Sequence, residues 1–216
     1  IGIRPNTAFL ADTGIKLSEN GAVVVNEHME TNVEDIYALG DCAVVRNMLT
    51  GKGAYSPMGS SANIQGRLLA QNLDSKKLSY KGVLGTTVIN LPELNVGKTG
   101  LTEEAARAEG YDVVTAITVV DDKAHYYPGA SYFIVKMVAD KSTKKLLGLQ
   151  VLGQGAVDKI VDIGATAIAL NASLDQIKDL DLAYAPPFST AIHPFSHTVN
   201  ILLNKINGEI QSITPG

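Results

Sequence analysis

The sequence contains little of what disulfide frameworks, nucleic-acid interfaces and membrane spans require. Cys42 is the only cysteine among 216 residues, which excludes a disulfide or a cysteine zinc site within this chain. We therefore expect a reducing, cytoplasmic setting. Only 19% of the residues are charged and the net charge is −4, so nucleic-acid binding is not favoured. No apolar run is long enough to span a bilayer and no signal peptide is recognisable, so we expect no membrane partner.

A glycine-rich G-x-G-x-x-G turn, by which a strand–helix junction binds a dinucleotide, is also absent. The composition is otherwise ordinary for a globular protein, with 45% hydrophobic residues, and the length suffices for one large or two small domains. The first residue is Ile1, and the opening IGIRPNT is typical of the middle of a strand–loop unit. We therefore expect the chain to be a fragment of a longer protein.

The segment over residues 31–43, TNVEDIYALGDCA, carries the clearest chemical signal. The apolar run at residues 36–39 predicts a strand that ends at Gly40 and Asp41, followed by a glycine-rich loop. A glycine there lets a ligand approach the backbone closely, and the Asp41 carboxylate can accept a hydrogen bond from a ligand hydroxyl. Upstream, an Asn-Gly pair at residues 20–21 lies between apolar runs and predicts a hairpin.

This segment resembles the second FAD motif of the two-dinucleotide-domain flavoprotein reductases. In that family the aspartate holds the ribityl chain of the flavin, so the resemblance implies this role for Asp41. Cys42 beside it invites a redox interpretation, but a buried structural cysteine is the commoner case. In the family the redox cysteine comes from the first FAD segment, so we expect the catalytic thiol upstream of this chain.

A helix over residues 60–73 is predicted by apolar residues at helical spacing, with Ser60 or Ser61 as its cap. Its N-terminus carries unsatisfied N–H groups and a partial positive charge, which suit the electron-rich edge of a reduced flavin. The segment A-N-x-Q-G-R in this helix also resembles the family. The resemblance implies cofactor contacts at the following residues: Gly40, Asp41, Cys42, Pro57, Met58, Gly59, Ala62 and Phe188.

The second part of the chain reads as an α+β module of three strands flanked by helices. Residues 113–121, 132–140 and 146–153 alternate as strands, while the segment over residues 86–101 gives a strand, a proline-containing loop and a turn. Helices are predicted over the following residues: 102–109, 155–171, a short one from 174, and 195–205.

Two aromatic segments in this module, HYYPGA at residues 125–130 and AYAPPFSTAIHPF at residues 183–195, are candidates for substrate contact. Tyrosines beside prolines are often packed loop anchors, but together these segments resemble the dimerisation domain of the coenzyme A-disulfide reductase and NADH oxidase-like flavoproteins. The resemblance covers essentially the whole chain and corresponds to the C-terminal half of a family member. It implies a homodimer in which Tyr184, and either Tyr126 or Tyr127, reach the partner's redox cysteine and its disulfide or coenzyme A substrate.

The sequence departs from this family at His193, since family members usually carry an Asp-Pro pair where His193-Pro194 stands. The glutathione-reductase branch has a His-Pro whose histidine serves as the thiol's acid/base, oriented by a glutamate five residues on. Thr198 occupies that position here. Without an orienting carboxylate, we interpret His193 as a residue that starts a helix. His125 is a candidate for a phosphate-binding or substrate surface.

The predicted fold class is therefore α/β and α+β. Residues 1–82 form the C-terminal segment of an FAD-binding Rossmann-like domain, residues 83–207 the dimerisation domain and residues 208–216 a tail. The resemblance implies an enzyme in which NAD(P)H reduces FAD and the electrons pass through a cysteine to a disulfide such as coenzyme A disulfide. An NADH oxidase or peroxidase of the same superfamily is the alternative, and the isolated chain could also be a non-catalytic dimerisation module.

Overall fold

The computed structural model describes residues 2–74 and 77–211, and the chain divides into two compact units, Ile1–Gly85 and Thr86–Gly216. The predicted domain boundary at residues 82/83 lies three residues before this division. Most of the predicted tail at residues 208–216 lies outside the described residues. None of the helices formed by the described residues is long and apolar enough to cross a membrane.

The first unit is a small three-stranded sheet with one long helix. Strand β1 pairs in parallel with β2, which pairs antiparallel with β3. A buried cluster of Met29, Val45, Leu68, Tyr80 and Val83 forms its core and joins the helix to the sheet. The elements are β1 (Val23–Val24), β2 (Ala43–Arg46), β3 (Gly53–Tyr55) and α1 (Gly59–Leu73).

The predicted strand at residues 36–39 is wrong. Only Tyr37 forms a bridge, to Glu30, and the side chains of Ile36 and Tyr37 are 40% and 36% exposed. The chain turns just before this run, where Asp35 has φ +59°, and the run then bonds only to the short segment before the turn, through Ile36 to Thr31 and Ala38 to Met29. The strand instead begins after Gly40 and Asp41, as β2, and part of the predicted loop forms β3.

The predicted hairpin at residues 20–21 is present as a single turn. Leu17 and Val23 form one antiparallel bridge, and Gly21 takes φ +86° in the turn. The arm beyond the turn does not extend the hairpin because Val23 and Val24 pair with β2.

The second unit is a five-stranded antiparallel sheet, in the order β4-β5-β8-β7-β6, with helices on one face. Helix α3 packs on β5 and β8, and α5 packs on β6 and β7. The strands are β4 (Thr87–Leu91), β5 (Leu94–Gly100), β6 (Val113–Asp121), β7 (Tyr132–Asp140) and β8 (Leu146–Gly153). The helices are α2 (Glu103–Ala108), α3 (Val157–Ala169), α4 (Leu174–Ile177) and α5 (Pro194–Asn207).

The mixed α/β and α+β fold class is confirmed, but the sheet has five strands: β4 lies where the segment over residues 86–101 predicts a strand, whereas β5 lies where a loop and a turn are predicted. Pro92 and Glu93 occupy the turn between β4 and β5, so the proline lies outside the hydrogen-bonded ladder and does not interrupt pairing. The helix predicted after Thr102 is confirmed, because the Thr102 hydroxyl accepts a hydrogen bond from the Ala105 N–H at 3.2 Å and caps α2.

The end of β5 and the start of β8 approach each other more closely than a side chain would allow. Gly148 pairs with Gly100, and a Cβ atom on residue 148 would overlap the carbonyl oxygen of Leu101. The obstacle is backbone, which cannot rotate away as a side chain can. The sequence therefore needs a glycine at this position of β8.

We predict that Gly148→Ala lowers the free energy of unfolding by about 1–3 kcal/mol, because the added methyl group must displace a paired strand. Gly66→Ala is the matched control: its Cβ would meet no atom within 4 Å, and it lies in α1, where alanine favours the helix. Denaturant unfolding of both variants measures the effect. An unchanged midpoint for Gly148→Ala would contradict the close approach.

Candidate functional site

A 3₁₀ turn, Gly40–Cys42, leads into β2 and is fixed to helix α1 by one buried hydrogen bond. The Gly40 N–H donates to Oε1 of Gln65 at 2.7 Å, and the Gln65 side chain is only 1% exposed. Gly40 has φ +73°, a conformation that side chains rarely adopt. Glycine and glutamine together therefore hold the turn beside the first half of α1. Gln65 lies in the A-N-x-Q-G-R segment that resembles the family, but the sequence alone assigns it no role.

The Asp41 carboxylate is exposed and has no hydrogen-bond or ion-pair partner among the described residues, so it is free to accept a hydrogen bond from a ligand. Its backbone is held from the other side, where the Tyr55 phenol donates to the Asp41 carbonyl oxygen at 2.9 Å. Burial, and then the negative charge of Asp41, raise the pKa of Tyr55 above its ordinary value, which keeps that donor protonated. Tyr55 lies in the predicted loop and gave no sequence signal.

Cys42 is half-buried and its thiol donates to the Leu39 carbonyl oxygen at 3.3 Å. This contact closes the 3₁₀ turn on itself. The thiol thus has a structural use in the turn, in keeping with the expectation that the catalytic thiol lies elsewhere.

The N-terminus of α1 is open. The helix begins at Gly59, the preceding Met58 is extended, and no side chain caps the first turn, so the predicted cap by Ser60 or Ser61 is wrong. Both serines lie inside the helix, where a side chain cannot bond forward as a cap does. The first N–H groups of a 15-residue helix therefore keep their hydrogen-bonding capacity and partial positive charge. Pro57, Met58 and Ala62 are half-buried around this end.

In the second unit, the structure brings the two aromatic segments together. The Ala124 N–H donates to the Pro186 carbonyl oxygen at 3.2 Å, which joins the loop at residues 124–130, the first aromatic loop, to that at residues 183–193, the second aromatic loop. The rings nevertheless face solvent, unlike packed anchors. The exposed fractions are 77% for Tyr126, 38% for Tyr127, 52% for Tyr184 and 73% for Phe188.

His193 begins α5, which confirms its interpretation as a helix-start residue. Its Nδ1 atom accepts a hydrogen bond from the Phe195 N–H at 3.2 Å, and the side chain is buried. Burial, and then the positive charge of Lys159, lower the pKa of His193 to about 4. Thr198, where an orienting carboxylate would stand, bonds instead to Thr118 at 2.7 Å.

His125 is exposed at the edge of the first aromatic loop, with Nδ1 3.7 Å from Oδ1 of Asp121. Within residues 2–74 and 77–211, no group of three or more histidine, cysteine or acidic side chains is arranged to hold a metal ion.

Comparison with known proteins assigns the class to which this fold and these loops belong. Residues 87–194 match the dimerisation domain of the pyridine nucleotide-disulphide oxidoreductases, and residues 1–64 match a second model of pyridine nucleotide-disulphide oxidoreductase. The chain belongs to the pyridine nucleotide-disulphide oxidoreductase family, which confirms the resemblance seen in its sequence.

Individual relatives show which members of that family the chain resembles. The chain is 39% identical over 201 residues to an NAD(P)H sulfur oxidoreductase (CoA-dependent) of Pyrococcus furiosus, covering 93% of this chain and 45% of the relative. It is 31% identical over 208 residues to an NADH oxidase of Methanocaldococcus jannaschii, covering 96% and 46%. The structure of an NAD-dependent persulfide reductase from A. fulgidus superposes with a TM-score of 0.92 at 37% identity, covering 99% and 39%. The chain thus spans about half the length of the curated relatives it matches.

The lowered pKa of His193 predicts a loss of stability in weak acid. Between pH 6.5 and about 4, His193 is protonated in the unfolded chain but not in the folded chain. The free energy of unfolding therefore falls as the pH decreases, by up to about 3 kcal/mol in total. His193→Asn keeps an acceptor for the helix start but does not titrate, and should lose this part of the pH dependence. Urea unfolding between pH 7 and pH 4 measures it.

The matched control is His197→Asn, on the exposed part of α5. It should retain the pH dependence of the unchanged protein, and the carboxylates contribute equally to all three proteins. Equal slopes for His193→Asn and the unchanged protein would contradict the assignment.

Proposed function

We propose that this chain is part of an FAD- and NAD(P)H-dependent oxidoreductase that reduces a sulfur–sulfur bond, such as that of coenzyme A disulfide or a persulfide. The redox cysteine of that enzyme lies upstream of this chain. The observation that carries the proposal is the Gly40–Cys42 turn, which Gln65 fixes beside the open N-terminus of α1. The relative named as a CoA-dependent sulfur oxidoreductase and the persulfide reductase structure support the substrate class.

The residues of the first unit fit the flavin they are proposed to hold. Asp41 offers an unpaired carboxylate to ligand hydroxyls, and the α1 N-terminus offers unpaired N–H groups to an electron-rich ring edge. Gly40, Cys42 and Ala62 keep the surface between them free of bulky side chains. Pro57, Met58 and Gly59 lead into the helix, and Phe188 is a proposed contact from the second unit. FAD, when bound, supplies the hydride and electron-transfer chemistry.

The two aromatic loops are proposed to serve the substrate across a homodimer. Their rings are exposed on joined loops, so they can enter a neighbouring subunit's site without unfolding their own. A phenol can donate a hydrogen bond or a proton to a leaving thiolate, which is the role proposed for Tyr184 and for Tyr126 or Tyr127. A cytoplasmic setting, with neither membrane nor nucleic-acid partner, belongs to the same proposal.

The alternative acceptor is oxygen or peroxide, favoured by the relative named as an NADH oxidase. The two functions separate by assay, since the protein that contains this chain can be given NAD(P)H with oxygen, coenzyme A disulfide or a persulfide in turn. Faster turnover with oxygen alone would favour the oxidase. The chain by itself is expected to bind FAD weakly at most, because it has no G-x-G-x-x-G turn.

The flavin proposal predicts that Asp41→Asn, in the protein that contains this chain, weakens FAD binding by about tenfold, the loss expected for a hydrogen bond to a charged group. Flavin fluorescence during dialysis against dilute FAD measures it. Asp74→Asn, at the exposed end of α1, is the matched control and should bind FAD normally. Equal FAD retention in the two variants would refute the role of Asp41.

The substrate proposal predicts that Tyr184→Phe lowers kcat with the disulfide by about 100-fold while FAD content stays normal, because a positioned proton donor is lost. Tyr126→Phe and Tyr127→Phe, measured alongside, decide which tyrosine of the first aromatic loop acts with it. Tyr132→Phe, an exposed tyrosine on strand β7, is the control and should turn over normally. Unchanged disulfide turnover in Tyr184→Phe would sink the assignment.

A further inference from the structure

A cavity of about 150 Å³ lies in the second unit, at the start of helix α3 beneath the second aromatic loop. Its lining includes Phe188, which is 73% exposed, so the cavity opens to solvent on that side. Of the residues with a proposed flavin or substrate role, Phe188 alone lines it.

Hydrogen-bond donors dominate the polar lining. Lys123, Lys159, Ser189 and His193 all line the cavity. The Ser189 side chain is 1% exposed and its hydroxyl has no hydrogen-bond partner, although a buried hydroxyl left unpaired is costly. No carboxylate of the described residues pairs with Lys159. Both groups line the same cavity, and both can donate a hydrogen bond to a ligand that enters it.

The histidine of this lining is a further donor. Its Nδ1 atom accepts from the Phe195 N–H, so in the neutral ring the proton resides on Nε2. The burial that lowers the pKa of His193 to about 4 keeps the ring neutral at pH 7. His193 thus contributes an N–H rather than a full charge.

Helix α3 adds its own N-terminus. The helix has 13 residues, begins at Val157 and has no side-chain cap, and the preceding Gly155 and Ala156 line the cavity. The Val157 N–H is bonded to the Gly155 carbonyl oxygen at 2.9 Å, and the next N–H groups of the first turn, with the helix dipole, favour a negative charge.

The one carboxylate of the lining, Asp122, lies against the start of α3, where its Oδ2 atom would be 2.6 Å from a Cβ atom on Gly155. Asp122 accepts the Ser131 N–H at 2.8 Å, and its other oxygen lies 3.7 Å from Nζ of Lys123. Two lysines against one aspartate leave the lining with one net positive charge.

We propose that this cavity binds a small tetrahedral oxyanion of the phosphate or sulfate type, held by Lys159, Ser189, His193 Nε2–H and the N-terminus of α3. The ligand is either the free anion or the terminal phosphate of a larger molecule. The site is complete within the second unit and does not depend on the proposed flavin chemistry.

The test is a titration of the ¹⁵N-labelled 216-residue chain with inorganic phosphate, followed by NMR at constant ionic strength with chloride as the balancing salt. Amide shifts should concentrate at residues 155–160 and 189–193. A parallel titration with AMP separates the two sources: a tighter response to AMP at the same amides assigns the phosphate of a larger ligand, and an equal or weaker one assigns the free anion. Shifts spread over surface lysines, or none at these amides with either probe, would overturn the proposal.

Two pairs of variants sharpen the test. Lys159→Gln should weaken phosphate binding about tenfold, whereas Lys178→Gln, at an exposed residue just after α4, should leave it unchanged. Ser189→Ala should weaken it several-fold, whereas Ser131→Ala, which removes the other buried and unpaired side-chain hydroxyl found among the described residues, should not. Because Ser189→Ala removes a single oxygen, it decides the matter even if Lys159→Gln fails to fold. Equal affinities within both pairs would refute the site.

Discussion

The hydrogen bond from the Gly40 N–H to Oε1 of Gln65 is the contact on which the candidate site of the first unit depends. A backbone donor that is buried must find a partner, and here the partner is a side chain on α1 rather than another strand. The bond therefore ties the turn, the start of β2 and the helix into one arrangement. Because the turn is fixed from inside, the Asp41 carboxylate needs no partner of its own and remains free at the surface.

The second unit is divided in a similar way, between a sheet that is rigid and exposed loops that we propose contact the substrate. Five antiparallel strands covered by α3 and α5 bury the long apolar side chains. The aromatic loops leave this scaffold at the end of β6 and before α5, with their rings in solvent. Exposed aromatic rings contribute little to the stability of their own unit. Their presence is better explained by contacts with another molecule, such as the partner subunit that we propose.

The sequence predicts much of this arrangement, and its failures have physical causes. Strands β6, β7 and β8 are predicted with the bounds that they have in the structure, because each is a long, largely apolar segment. The run at residues 36–39 fails because four apolar residues carry no period, and in the structure it pairs only through one bridge, between Tyr37 and Glu30. Strand β5 is missed because glycines and polar residues hide its pattern. Gly40 and Asp41 are visible as a motif, whereas Gln65 and Tyr55 act through contacts that only the fold creates.

The single backbone bond between Ala124 and Pro186 has a consequence for how such proteins diversify. Two loops that are more than fifty residues apart along the chain share one anchoring point, so a length change in either displaces the other. Where the loops contact the substrate as we propose, changes in the two loops would then have to be inherited together. If one loop of a homologue were grafted alone, it would contact a second loop whose conformation fits a different first loop.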